Sequence, residues 1–238
     1  MANSVDIAPD LYREIEQIFK GGTSSDKELV RLLNRIANGK GRQADVFKAA
    51  KRIGKHASEA LQKVLTADAL PDGTFYWNIG EKTIDPLMRN VHKVVNSLGA
   101  AQMQGADAAK GIAIAVKLGP DPAEQIREII GLAVNASNPE ELRNALDVVS
   151  ASESFVDQFL EENMKARTGL GFEQYVVRTY DGVGLKGGDC EWCLERAGTW
   201  SYKDAKENGV FERHKGCGCT IEVVTEDDLG DDFQDVPF

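Results

Sequence analysis

The sequence predicts a mainly α-helical chain. A multi-helix N-terminal body carries a small C-terminal α+β, hairpin-rich module and ends in an acidic tail. Three observations lead there. Apolar residues recur at helical spacing over residues 8–165. After Thr168-Gly169-Leu170-Gly171 the pattern changes to short β-rich runs separated by glycines. All four cysteines and one histidine then fall within residues 190–219. The expected divisions are 1–167 for the body, 168–225 for the Cys/His module and 226–238 for the tail.

In the body, Leu11, Ile15 and Ile18-Phe19 mark a first helix that Gly21-Gly22 is expected to end. Ser25 and Glu28 form a candidate capping box for a second, with Leu29, Leu32, Leu33 and Ile36 on its apolar side and Asn38-Gly39 closing it. A longer helix is expected over 42–66, with Phe47, Ala50, Ile53, Ala57, Leu61 and Val64-Leu65 inward. Residues 67–82 break the pattern with the Pro71-Asp72-Gly73 turn and the aromatic run Phe75-Tyr76-Trp77, which reads as a plug over the core or as a partner-binding spot. Asp85-Pro86 is read as a helix start, aspartate capping and proline in the first turn. Residues 100–118 are Ala-rich, but Gly105 and Gly111 weaken any helix there. Helices are further expected at 122–134, 139–149 and 152–166, the last turning Phe155, Phe159 and Met164 inward.

In the module, residues 175–179 read as a strand and 181–188 as a glycine-rich loop. Residues 202–209 supply a helical turn or two stopped by Gly209, and Phe211 and residues 220–224 suggest further strands.

Composition narrows the function classes. The 238 residues are 42% hydrophobic and 28% charged, ordinary for a folded globular chain, and no apolar run is long enough for a membrane span. The start lacks a basic segment followed by an apolar one, so no signal peptide is read. A reducing cytoplasm fits, where cysteine clusters hold metal more often than disulfides. The formal net charge is -10, yet residues 11–63 hold 12 Lys/Arg against 6 Asp/Glu. That segment faces a phosphate backbone, an acidic partner or simply solvent. The acidic tail suits docking on a basic partner.

Cys190-x-x-Cys193 and His214-x-x-Cys217-x-Cys219 carry the chemistry. Thiolates and an imidazole at these spacings suit a four-coordinate Zn(II) ion, which would staple a module too small to be stable by packing alone. Five candidate ligands compete for four positions: Cys190, Cys193, His214 and one or both of Cys217 and Cys219. A reduced cluster without metal, a disulfide pair and a Cys-x-x-Cys redox site are the alternatives. A catalytic set is missing. No His-Glu-x-x-His, His-x-Glu deaminase pattern, Walker loop, dinucleotide fingerprint or Gly-x-Ser-x-Gly elbow occurs, and the expectation is a non-enzyme. Glu195 and Glu212 are the nearest carboxylates for any hydrolytic alternative, and His56 and His92 read as packing or surface residues.

Arg178-Thr179, Gly188-Asp189-Cys190-Glu-Trp-Cys193, Gly198 and Phe211-Glu-Arg-His214-Lys-Gly-Cys217-Gly-Cys219-Thr-Ile-Glu-Val together resemble the minor head proteins of tailed bacteriophages, the Mu F-like head-morphogenesis family. The resemblance covers residues 175–224. It matches the five candidate ligands and the turn glycine Gly198, but Lys215 stands where the family commonly has proline and Gly218 where it commonly has arginine. It implies a virion component of the head interior or portal region, made in the bacterial host cytoplasm. The portal and/or major capsid protein would be its partners, the chain itself would stand in multiple copies around the portal, and packaged DNA would be a further contact. Assembly or DNA delivery would be its role, with zinc structural. The competing expectation is a zinc-ribbon-like adaptor that binds nucleic acid or protein outside a virion.

Overall fold

The computed structural model describes residues 6–180 and 190–229. Among the described residues seven α-helices form the body: α1 (Ala8–Ser25), α2 (Lys27–Ala37), α3 (Gln43–Val64), α4 (Trp77–Ala109), α5 (Ala123–Val134), α6 (Pro139–Ala145) and α7 (Val149–Thr168). Then come β1 (Tyr175–Thr179), α8 (Glu191–Leu194), β2 (Gly198–Ser201), α9 (Tyr202–Glu207), β3 (Thr220–Val224) and α10 (Glu226–Leu229). The chain is mainly α with a small α+β portion at its C-terminal end. The expected loop at 181–188 lies outside the described residues.

Helix α3 is the hub. It is apolar on most of its circumference, and it packs against α1, α2, α4, α7 and β3. Close approach is built into the sequence. A Cβ at Gly54 would meet Ser152 Oγ at 2.6 Å, and one at Gly99 would meet the Phe159 ring at 2.7 Å, so these glycines let α3 and α4 sit against α7. Phe155, Phe159 and Met164 are buried as expected.

Several helix boundaries differ from expectation. Helix α1 runs through Gly21-Gly22 to Ser25, because Gly22 sits directly beneath the His56 ring on α3 and tertiary packing outweighs the glycine cost. Asp26, rather than Ser25, caps α2, its Oδ1 accepting from Leu29 N at 3.0 Å. Pro86 does not start a helix. It lies inside α4, which begins at Trp77 just after the buried Phe75 and carries Ile79, Ile84, Leu87 and Met88 into the core; that burial outweighs the one backbone bond proline removes. Tyr76 and Trp77 stay substantially exposed, so only Phe75 plugs the core. Helix α4 ends at Ala109, and Gly111 takes the left-handed φ of 71° that follows a helix C-terminus. Residues 112–120 form neither helix nor strand. Asn163 substitutes for a strand partner there, bonding both N–H and C=O of Lys117 at 2.8 Å, while Asn96 Oδ1 accepts from Gly119 N at 2.6 Å.

The three strands form an antiparallel sheet in the order β2-β1-β3. Strand β2 was not anticipated, and Phe211 lies in a turn after α9 rather than in a strand. A four-residue strand opening on glycine carries too little alternation to read, and Phe211 is buried for packing, not for pairing. The hydrophobic core is continuous from the helices into the sheet through Val176, Ala205, Val210, Phe211 and Ile221. Gln43, at the start of α3, ties down the edge of β3. Its amide donates to Val223 O at 2.9 Å and accepts from Val223 N at 2.6 Å, which extends the sheet by one side chain. Among the described residues no helix is long and apolar enough to cross a membrane.

Candidate metal centre

Two short pieces of backbone bring the five ligand candidates together. Cys190 precedes α8 and Cys193 lies within it, so one helical turn aims both sulfurs the same way. Cys190 N donates to Tyr180 Oη at 2.9 Å, which anchors the turn to the end of β1. The second piece is the turn 214–217, where Cys217 N donates to His214 O at 3.1 Å and Gly216 has a φ of 73°. This turn returns the chain directly into β3, so Cys219 arrives next to Cys217 just before the strand.

Two donor triads result, Cys190–Cys193–His214 and Cys193–Cys217–Cys219, each with all its ligand atoms within 4.8 Å of one another. Cys193 belongs to both. Its sulfur lies 3.7 Å from Cys217 Sγ and 3.0 Å from His214 Nε2, and Cys190 Sγ lies 3.4 Å from the same nitrogen. Two thiolates on one tetrahedral zinc, each about 2.3 Å from the ion, stand about 3.8 Å apart, and a sulfur–nitrogen edge is slightly shorter. The Cys193–Cys217 and Cys190–His214 separations fit those edges, while Cys193–His214 is tighter. None of the four cysteines is in a disulfide. The cluster can therefore hold a metal ion.

The histidine is oriented for this. Its Nδ1 sits 2.8 Å from Lys215 O, so a proton there leaves the Nε2 lone pair facing the sulfurs. The Trp192 ring stands edge-to-face with His214 at 5.3 Å and is covered on its own face by the Arg196 guanidinium at 4.0 Å.

Thiol electrostatics agree with a site built for a cation. Burial, with Cys219 opposing it and Cys190 and Cys217 adding to it, pushes Cys193 up to about 11. The bond shared with Cys219 raises Cys217, burial adds to it, and the same bond lowers Cys219. Without a cation Cys193 and Cys217 stay protonated at neutral pH; a bound metal supplies the charge that lets them ionise.

Two buried arginines hold the cluster's outer side. Arg178, on β1, is 2% exposed; it donates to Glu212 O at 2.7 Å, to Val210 O, and to Cys217 Sγ at 3.5 Å. Arg213 donates to Cys219 O at 2.8 Å and to Cys217 O at 3.3 Å, and it pairs with Asp157 of α7. In the sequence Arg178 stands out only within the 175–179 strand and the resemblance, Arg213 only within the resemblance, and Asp157 in neither. An aspartate between Phe155-Val156 and Phe159-Leu160, on a helix face that must be buried, was the available signal. Glu195 is exposed beside Arg196, Glu212 lies by Gly209, and neither belongs to a donor triad. His56 packs on Asp26 and Glu59, and His92 stacks edge-on against Phe155.

No family model, curated protein or solved structure matches this chain.

Proposed function

We propose that this chain is a minor head protein of a tailed bacteriophage, acting at or near the portal in head assembly or DNA delivery, with a structural zinc ion in the Cys/His cluster. The observation that carries the reading is the ordered set Cys190-x-x-Cys193, His214-x-x-Cys217-x-Cys219, gathered into one largely buried cluster at the end of a helical body. Zinc is favoured by the donor chemistry: up to four thiolates and one imidazole, with no carboxylate in either triad. A structural role is favoured by burial of Cys193, Cys217 and Cys219 to 3% exposure or less, which leaves little room for a substrate at an open coordination position. In this reading the helices make the protein contacts with portal or capsid subunits, and the metal fixes the shape of the C-terminal portion.

Mass spectrometry of density-purified particles tests it. The expected result is this chain at a fixed ratio to the portal protein. Particles that contain portal but lack this chain would overturn the virion assignment. They would favour the second reading, a zinc-ribbon-like adaptor outside the virion, which draws support from the basic segment of the body.

A further inference from the structure

The charge of this protein is unevenly placed. Residues 27–63 hold ten Lys/Arg and three Asp/Glu, within a chain of net charge -10. These residues are the α2–α3 helical hairpin, closed by Gly39-Lys40-Gly41. Lys27, Arg31, Asn34, Arg35, Asn38 and Lys40 line one open groove along the outer side of α2. Lys48, Lys51 and Lys55 follow at helical spacing on an exposed strip of α3.

The two strips belong to one electrostatic surface. Arg52 of α3 pairs with Asp26 at the start of α2 at 2.7 Å. Glu28 of α2 is held below the ordinary carboxylate range by Arg31, with smaller pulls from Arg52 and Lys48 across the helix pair. Arg35 reaches Asp45 of α3 at 3.2 Å. The three carboxylates near the hairpin start and groove thus serve to position arginines, and the lysines extend past them into solvent.

We propose that this face of the α2–α3 hairpin binds the phosphate backbone of nucleic acid without reading sequence. Charge complementarity selects the occupant. Polar amides from Asn34 and Asn38 sit among the cations, and such amides commonly contact phosphate oxygens. A protein partner would need an apolar or aromatic centre to desolvate, and Val30, at 39% exposure, is the one large apolar side chain exposed on residues 27–63. The inference rests on charge and geometry and stands apart from the virion assignment and the metal site. The remainder of the chain is acidic enough to repel a polyanion, so contact is confined to this face and depends strongly on salt.

Fluorescence anisotropy of a labelled DNA duplex of about thirty base pairs, titrated with the full chain across a salt series from about 50 mM, tests this. The expected affinity falls with salt, with a log–log slope near -0.9 for each phosphate neutralised. The triple variant Lys27→Gln, Lys48→Gln, Lys51→Gln should bind about tenfold or more weakly at the lowest salt and flatten the slope by about 2 to 3. Lys93→Gln, on exposed α4 surface, should leave both unchanged. Matching circular dichroism melts would show that the triple variant is folded. No binding by the wild type at the lowest salt, a slope unaltered in the triple variant, or displacement of the duplex by polyglutamate at equal charge concentration would each overturn the proposal. The last outcome would identify an acidic polypeptide as the occupant.

Discussion

Arg213 and Asp157 meet as a buried bidentate ion pair, Nε to Oδ2 at 2.6 Å and Nη2 to Oδ1 at 3.1 Å, with side-chain exposures of 2% and 0%. Arg213 spends its remaining nitrogen on the carbonyls of Cys217 and Cys219. Helix α7 thus holds the backbone that carries two of the candidate ligands. Burial raises the Asp157 carboxyl and Arg213 opposes that rise; burial works against the Arg213 charge, but Asp157 outweighs it and holds the guanidinium protonated. We take the pair as ionised, because two matched hydrogen bonds accompany the charge contact.

Breaking this pair from one side should be costly. Asp157→Asn leaves a guanidinium without its counter-charge, and a loss of about 3–5 kcal/mol in urea unfolding is expected. The double variant Asp157→Leu, Arg213→Met should recover much of that loss in stability while weakening metal retention, since Cys217 and Cys219 lose their carbonyl anchor. Equal metal affinity in the wild type and the double variant would show that the pair does not position the ligands.

Cys193 is shared by both triads, so the cysteines should not be equivalent. Cys193→Ser should abolish metal binding and strip hydrogen-exchange protection from residues 190–224, with the helices of the body much less affected. Cys219→Ser should keep bound metal if Cys190, Cys193, His214 and Cys217 form the set. Metal loss in Cys219→Ser with retention in Cys217→Ser would reverse that assignment.

Asp26 gives the body a pH-dependent lock. Its side chain caps α2 and accepts from Arg52 at 2.7 and 2.8 Å, with His56 2.9 Å away. Arg52 chiefly holds the carboxyl far below its ordinary range, against the opposing effect of burial. A depressed carboxylate stabilises the fold fully above its unfolded value of about 4, and the contribution is lost as pH falls through the folded value. Asp26→Ala should cost about 1–2 kcal/mol at pH 7, and its stability deficit should shrink below about pH 4. A deficit that is constant across that range would contradict an ionised cap.

Gln43 should act as the missing neighbour of β3. Gln43→Ala removes two hydrogen bonds to Val223 and should cost about 1–2 kcal/mol, read as faster exchange of the Val223 amide. Unchanged exchange there would mean that solvent replaces the amide without loss.

The strong periodicities were legible. Helices α3 and α5 lie within two residues of the expected 42–66 and 122–134, because long apolar stripes on good helix formers leave little ambiguity. Local punctuation misled. Gly21-Gly22 and Pro86 signal breaks in isolation, yet α1 and α4 bury enough apolar surface to continue through them. At the site, the spacing of Cys190, Cys193, His214, Cys217 and Cys219 was enough to name the residues that the fold gathers. Their supports were not legible. Arg178, Arg213, Asp157 and Gln43 act across the tertiary structure, at separations such as the 56 residues between Asp157 and Arg213 and the 180 between Gln43 and Val223. No short window contains both partners of either pair.

Metal content and ligand type decide whether the Cys/His cluster is a structural zinc site. Elemental analysis of the full chain purified without chelator, combined with X-ray absorption at the zinc edge, should find one zinc per chain with sulfur-rich coordination and at least one nitrogen. Removing it should release the four thiols to a colorimetric reagent and unfold the sheet while the helical body persists. A metal-free protein whose sheet is equally protected, with its thiols reactive or paired in disulfides from the start, would overturn the zinc assignment.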